Sequence, residues 1–135
     1  GDHRVCVAAA ERPSGLRDTI PVGSQLTMRA GSAAQVLLAW EDPERMHRGL
    51  QNAAFSAAAL SGIRRRGWAQ SVGEREQGVA SVSAPVRSPG GKIIAAVSVS
   101  GPLERLSRQP GRMHAPAVLA AAERLSESLR RAAAD

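Results

Sequence analysis

Two runs of alternating small apolar and hydroxyl residues, joined by Ser88-Pro89-Gly90-Gly91, limit what this chain can fold into more than any other feature. In the second run Ile93, Ala95, Val97 and Val99 fall on one face of a pleated strand, with Ile94, Ala96, Ser98 and Ser100 on the other. The first run, 79–86, puts Ser81 and Ser83 on one face against Ala80, Val82 and Ala84. Proline presets a turn and glycine tolerates positive φ, so the linker predicts an antiparallel hairpin. One face reads as core. The other is small and lightly polar, and two readings of it stand: it floors a shallow cavity, or it lets a helix approach closely.

A chain of 135 residues has room for one domain with a core that needs no staples. The single cysteine, Cys6, excludes an internal disulfide and a cysteine-based zinc knuckle, which fits an intracellular protein. No apolar run reaches spanning length, so a cytoplasmic protein without a membrane partner is expected. The net charge of +6 raises nucleic-acid binding, but Lys92 is the lone lysine, and the arginines scatter apart from Arg64-Arg65-Arg66. Base-stacking aromatics are limited to Trp40, Phe55 and Trp68, so direct nucleic-acid binding by this segment is not expected.

In chain order, Arg4 to Ala10 reads as a strand with Cys6 as a small buried hydrophobe, and Leu16 to Ile20 as a second strand. Pro21 to Ser24 ends it. Gly31-Ser32 opens a helix over Ala33 to Trp40, whose N-terminus suits an anion or carbonyl oxygen, unless Ser32 simply caps it. Asp42-Pro43 starts a short helix to about Leu50, and Ser56 starts another that ends at Gly67. The arginine triplet then lies where cations complement a helix C-terminus, with an acidic-partner patch as the other reading. A closing helix over Ala115 to Ala133 carries Val118, Leu119, Ala122, Leu125, Ser126 and Leu129 as one stripe.

Catalytic chemistry is not in view. His3, His47 and His114 are isolated from one another and from Cys6, which gives no metal-ligand spacing. Glu74 and Glu76 fit a solvated turn better than an acid pair. No phosphate-binding glycine motif is present. Neither a metal nor another cofactor is expected, and the chain reads as a non-enzyme.

The segments PVGSQL, AGSAAQVLLAW, GWAQSVGEREQGVASVSAPV and VSVSGP, in that order and spacing, resemble the C-terminal effector-binding domain of the IclR family of bacterial transcription regulators. The resemblance implies an α+β, GAF-like antiparallel sheet with helices on both faces. It also implies that residues 1–135 are an N-terminally truncated effector-binding domain. A winged helix-turn-helix DNA reader, with the effector domain's opening helix and first strand, would lie upstream. Homodimers or homotetramers are implied, with DNA engaged only through that upstream domain.

The family's effector site carries over position by position. Backbone amides that hold a carboxylate fall on Ser32 and Ala33, the two serines of the strand ending in Ser-Gly-Pro are Ser98 and Ser100, and apolar walls fall near Leu16, Leu26 and Met28. Two positions depart. An acidic residue in some members is Ser71 here, and a cysteine is Ser81, which implies a more neutral pocket. The implied function is small-molecule sensing that modulates DNA binding, for a carboxylate or aromatic-acid effector. The alternative is an oligomerisation module with a vestigial pocket.

Overall fold

The computed structural model describes residues 3–10 and 20–134. The predicted hairpin forms: β4, Val79–Arg87, pairs antiparallel with β5, Ile93–Pro102, in a register that sets Ser81 opposite Ser100 and Ser83 opposite Ser98. The turn closes through the Gly91 N–H donating to the Ser88 carbonyl at 2.9 Å, and a register shift at Val86/Arg87 starts it. A third strand, β3 at Ala69–Val72, pairs with β4, opposing Ser71 to Ser81. The sheet order is β3-β4-β5, which leaves β3 on an edge.

Helices cover both faces of this sheet, as the α+β expectation required. On the apolar face, Val82, Ala84 and Val86 meet Ala115, Val118 and Ala122 of α5, the helix Pro110–Ala134. Against the serine face lies α1, Ser32–Ala39, whose Ala34, Val36, Leu38 and Ala39 form a core with Phe55, Ala69, and Leu60 and Ile63 of α3, Ala57–Arg66. Leu60 and Ile63 are fully buried, each a gain of about 1.5–3 kcal/mol over an exposed position.

The punctuation read from sequence is present. Asp42 accepts from the Arg45 N–H at 2.9 Å to cap α2, Pro43–Leu50. Ser56 accepts from the Ala59 N–H at 3.2 Å, and Gly67 ends α3 in the left-handed region at φ 89°. A four-residue α4, Leu103–Leu106, links β5 to the last helix.

Three expectations change. The first strand is shorter, with β1 at His3–Val5 pairing antiparallel with β2, Gln25–Thr27, in a separate two-stranded sheet. Cys6 lies beyond it and is half-buried, not core, while Val5 and Val7 are exposed. The strand expected from Leu16 lies outside the described residues apart from Ile20, which is not in a strand. Finally, α5 begins at Pro110, and its buried stripe is Ala115, Val118, Ala122 and Ser126. Leu119, Leu125 and Leu129 are exposed.

Candidate functional site

The sheet's pleat decides which serines meet. Ser71, Ser81 and Ser83 share a face, and antiparallel pairing lines them up with Ser98 and Ser100 across β5. Small side chains allow α1 to settle on that face, which brings Ser32 onto it. The alternative in which Ser32 simply caps the helix is overturned: Gly31 is the N-cap, and the helix has no side-chain cap. Instead the Ser32 hydroxyl shares hydrogen bonds with Ser81 and Ser83, each at 2.6 Å. Ser81 continues to Ser71 at 2.7 Å, and Ser83 to Ser98 at 2.6 Å.

Five hydroxyls thus form one line, Ser71, Ser81, Ser32, Ser83 and Ser98, running from the buried interior to the exposed Ser98. Each hydroxyl carries one proton, so these four bonds commit four protons and leave one over. Such a line polarises along its length, and a group bound at one end favours one direction of donation throughout it. Among the described residues no buried side-chain nitrogen or oxygen lacks a partner.

The neighbourhood of the α1 start is more charged than the sequence suggested. Glu74, on the turn between β3 and β4, accepts from the Gly31 N–H at 3.0 Å, and its Oε1 and Oε2 accept from Nε2 of the buried Gln35 at 3.0 and 2.9 Å. It is therefore an anchor and not a solvated turn residue, and Glu76 faces Arg75 at 3.9 Å. From β1, Arg4 donates to the Thr27 and Ala30 carbonyls at 3.1 and 3.0 Å, tying the small sheet to the head of α1. Burial, with Arg75 nearby, lowers the Arg4 guanidinium below its ordinary range.

The expected site residues divide clearly. Ser32, Ser71, Ser81 and Ser98 meet in one network, and Ser100 neighbours it through its pairing with Ser81. Ala33 follows Ser32 on α1. Met28 packs against the α1 and α3 core, and the half-buried Leu26 pairs with Arg4. Leu16 lies outside the described residues. Sequence reasoning put Ser83 on the right face without counting it in the site, passed over Gln35, and read Glu74 as part of a solvated turn. Both partners of Glu74, Gly31 and Gln35, lie more than 35 residues away in the chain, so no local spacing announces the contact.

A separate groove among the described residues lies elsewhere. It holds about 770 Å³ between α3 and the edge strand β3, lined by Phe55, Gly62, Arg65, Arg66, Gln35 and Glu74 among others. None of the described residues expected at the effector site lines it. Among the described residues no three histidine, cysteine, aspartate or glutamate side chains gather as metal ligands, and no helix is long and apolar enough to cross a membrane.

Residues 1–127 match the family model described as bacterial transcriptional regulator IclR C-terminal. The HTH-type transcriptional regulator BhcR of Paracoccus denitrificans is 30% identical over 139 residues, covering 93% of this chain and 50% of the relative. A solved transcriptional regulator from Rhodococcus sp. RHA1 is 25% identical, with a TM-score of 0.87 over 97% of this chain and 58% of that one. The Thermotoga maritima IclR structure has the same fold, with a TM-score of 0.84 at 20% identity, over 96% of this chain and 58% of that one. The chain spans about half the length, or less, of the curated relatives it matches.

Proposed function

The chain belongs to the bacterial transcriptional regulator IclR C-terminal family, and from that premise we propose that it senses a small molecule at the serine face and thereby modulates DNA binding by a separate domain of its regulator. The observation that carries this reading is the hydroxyl line: an exposed Ser98 is joined through Ser83 to Ser32 at the head of α1. A ligand that hydrogen-bonds Ser98 and Ser100 exchanges partners with that line and so acts on the position of α1. The amides of Ser32 and Ala33 at the start of α1 favour an anionic group, with Leu26 and Met28 as the apolar wall. This suits a carboxylate, aromatic acids included.

Regulation requires the effector to prefer one arrangement of the subunits over another, since equal affinity shifts nothing. The domain works as a homodimer or homotetramer in the cytoplasm, without catalysis, cofactor or membrane attachment. The test is a metabolite screen by thermal shift followed by calorimetry. Effectors should lose about tenfold in affinity in Ser98→Ala, the loss of one well-placed hydrogen bond. Unchanged affinity in both Ser98→Ala and Ser32→Ala would remove the serine face from the site.

A second reading has its own observation. The serine hydroxyls satisfy one another, and none of the described serine-face residues lines the groove between α3 and β3. That favours an oligomerisation module whose pocket is vestigial. In that case association, followed by sedimentation, stays independent of every metabolite that the screen covers.

A further inference from the structure

Two guanidinium groups converge where no carboxylate meets them. A Cβ built on Gly62 would lie 3.7 Å from Arg65 Nη2 and 3.8 Å from Arg66 Nη1, so both side chains fold back over the same glycine on α3. Each is fixed by a neutral partner. Arg65 donates to the Ser61 hydroxyl at 3.1 Å, and Arg66 Nε donates to the Trp68 carbonyl at 2.9 Å with its guanidinium 4.1 Å from the Trp68 ring centroid. Among the described residues neither forms an ion pair. Like charges held together and unneutralised are costly, and the Arg66 guanidinium is lowered by burial and by Arg65.

These arginines form one wall of the groove of about 770 Å³, which is within the range of small-molecule sites. Phe55, Ala58 and Ala59 supply an apolar surface, and Gln35 also lines the groove. Glu74 is also there, but its carboxylate is engaged by Gly31 and Gln35. We infer that this groove is a second ligand site, separate from the serine face, for an organic oxyanion whose carboxylate or phosphate is clamped by Arg65 and Arg66 over Gly62. The Arg66 guanidinium, already oriented by stacking on Trp68 and by its carbonyl, loses little freedom on gripping such a group, and Arg65 is held by Ser61 beside it. The apolar body of the ligand lies along Phe55 and the alanines.

The test titrates the protein with potassium phosphate and, separately, sodium glutarate, following the arginine side-chain N–H resonances by NMR. Sodium chloride at matched ionic strength is the control. Saturable shifts of Arg65 and Arg66 with phosphate, glutarate or both are expected, and the stronger of the two identifies the ligand as phosphorylated or carboxylic. Gly62→Leu keeps both charges and places a good helix former in the clamp, so it should weaken binding about tenfold or more. Arg65→Gln should do the same by removing one charge-assisted bond, and it decides the matter if Gly62→Leu fails to fold. Ser98→Ala should leave these titrations unchanged, which separates this site from the serine face. Shifts that follow ionic strength alone, no saturation with either anion, or undiminished binding in the folded variants would overturn the assignment.

Discussion

Two helical glycines invite the same substitution with opposite results. At Gly111, in the first turn of α5, a Cβ would lie 2.2 Å from Trp68 Cζ3, 2.4 Å from Cη2 and 2.9 Å from the Gln70 side-chain oxygen. The ring has little freedom to retreat, because Arg66 stacks on it, and the Gly111 N–H donates to that same Gln70 oxygen at 2.9 Å. Gly111→Ala gains up to about 1 kcal/mol from helix propensity and from a less disordered unfolded chain. Against this, overpacking costs about 1–3 kcal/mol, a strained hydrogen bond about 0.5–1.5, and a disturbed cation–π contact about 0.5–1. The steric side wins, with a net destabilisation of about 1–4.5 kcal/mol. At Gly62 the nearest atoms are ordinary contacts at 3.7 and 3.8 Å, so Gly62→Ala should keep the propensity gain and stabilise by about 0.5–1 kcal/mol. Urea unfolding followed by circular dichroism measures both. A Gly111→Ala protein as stable as the parent would refute the docking of α5 on Trp68.

Two further predictions rest on polar groups. Ser126 is buried and its hydroxyl takes the Arg87 N–H at 2.9 Å while donating to the Ala122 carbonyl at 2.9 Å, so Ser126→Ala strands a backbone donor at the bulge. The expected loss is about 1–3 kcal/mol in global unfolding by urea, with Ser126→Thr retaining part of it. Asp42→Ala removes the cap of α2 and should cost about 1 kcal/mol. Because α2 has no buried residue, the loss should appear as faster amide exchange confined to 43–50, with a global midpoint almost unmoved.

What the sequence made legible was local. The hairpin follows from period-2 alternation around a proline-glycine turn, and the α2 and α3 boundaries follow from Asp42-Pro43, Ser56 and Gly67, whose chemistry acts within four residues. Strand β3 escaped notice because Gln70 and Ser71 lack an apolar signature, and what holds the strand is its pairing with β4. The leucines of α5 misled because periodicity marks a possible face but not its width. Arg64 shows the same limit: a position that fits its own helix C-terminus instead sends its guanidinium to the Ala39 carbonyl of α1 at 2.8 Å. At the site, the shared face of Ser81, Ser83, Ser98 and Ser100 was readable from the pleat. That Ser32 would complete the line, and that Glu74 would anchor the head of α1, depends on contacts spanning about forty residues or more.

The satisfied state of the serine line bears on what the proposed effector gains there. A ligand that enters replaces hydroxyl–hydroxyl bonds with hydroxyl–ligand bonds, and each exchange contributes only about 0.5–1.5 kcal/mol net. Affinity must then come chiefly from apolar contact and from the anionic group at the α1 start. Selectivity is a different quantity. A ligand that covers Ser98 without pairing its hydroxyl would bury an unsatisfied polar group, at about 1–3 kcal/mol, or roughly 5- to 150-fold in binding. An effector site built this way would discriminate among small molecules more strongly than it holds them. Because Ser32 is both a link in the line and the first residue of α1, the same mismatch also acts on how α1 sits on the sheet.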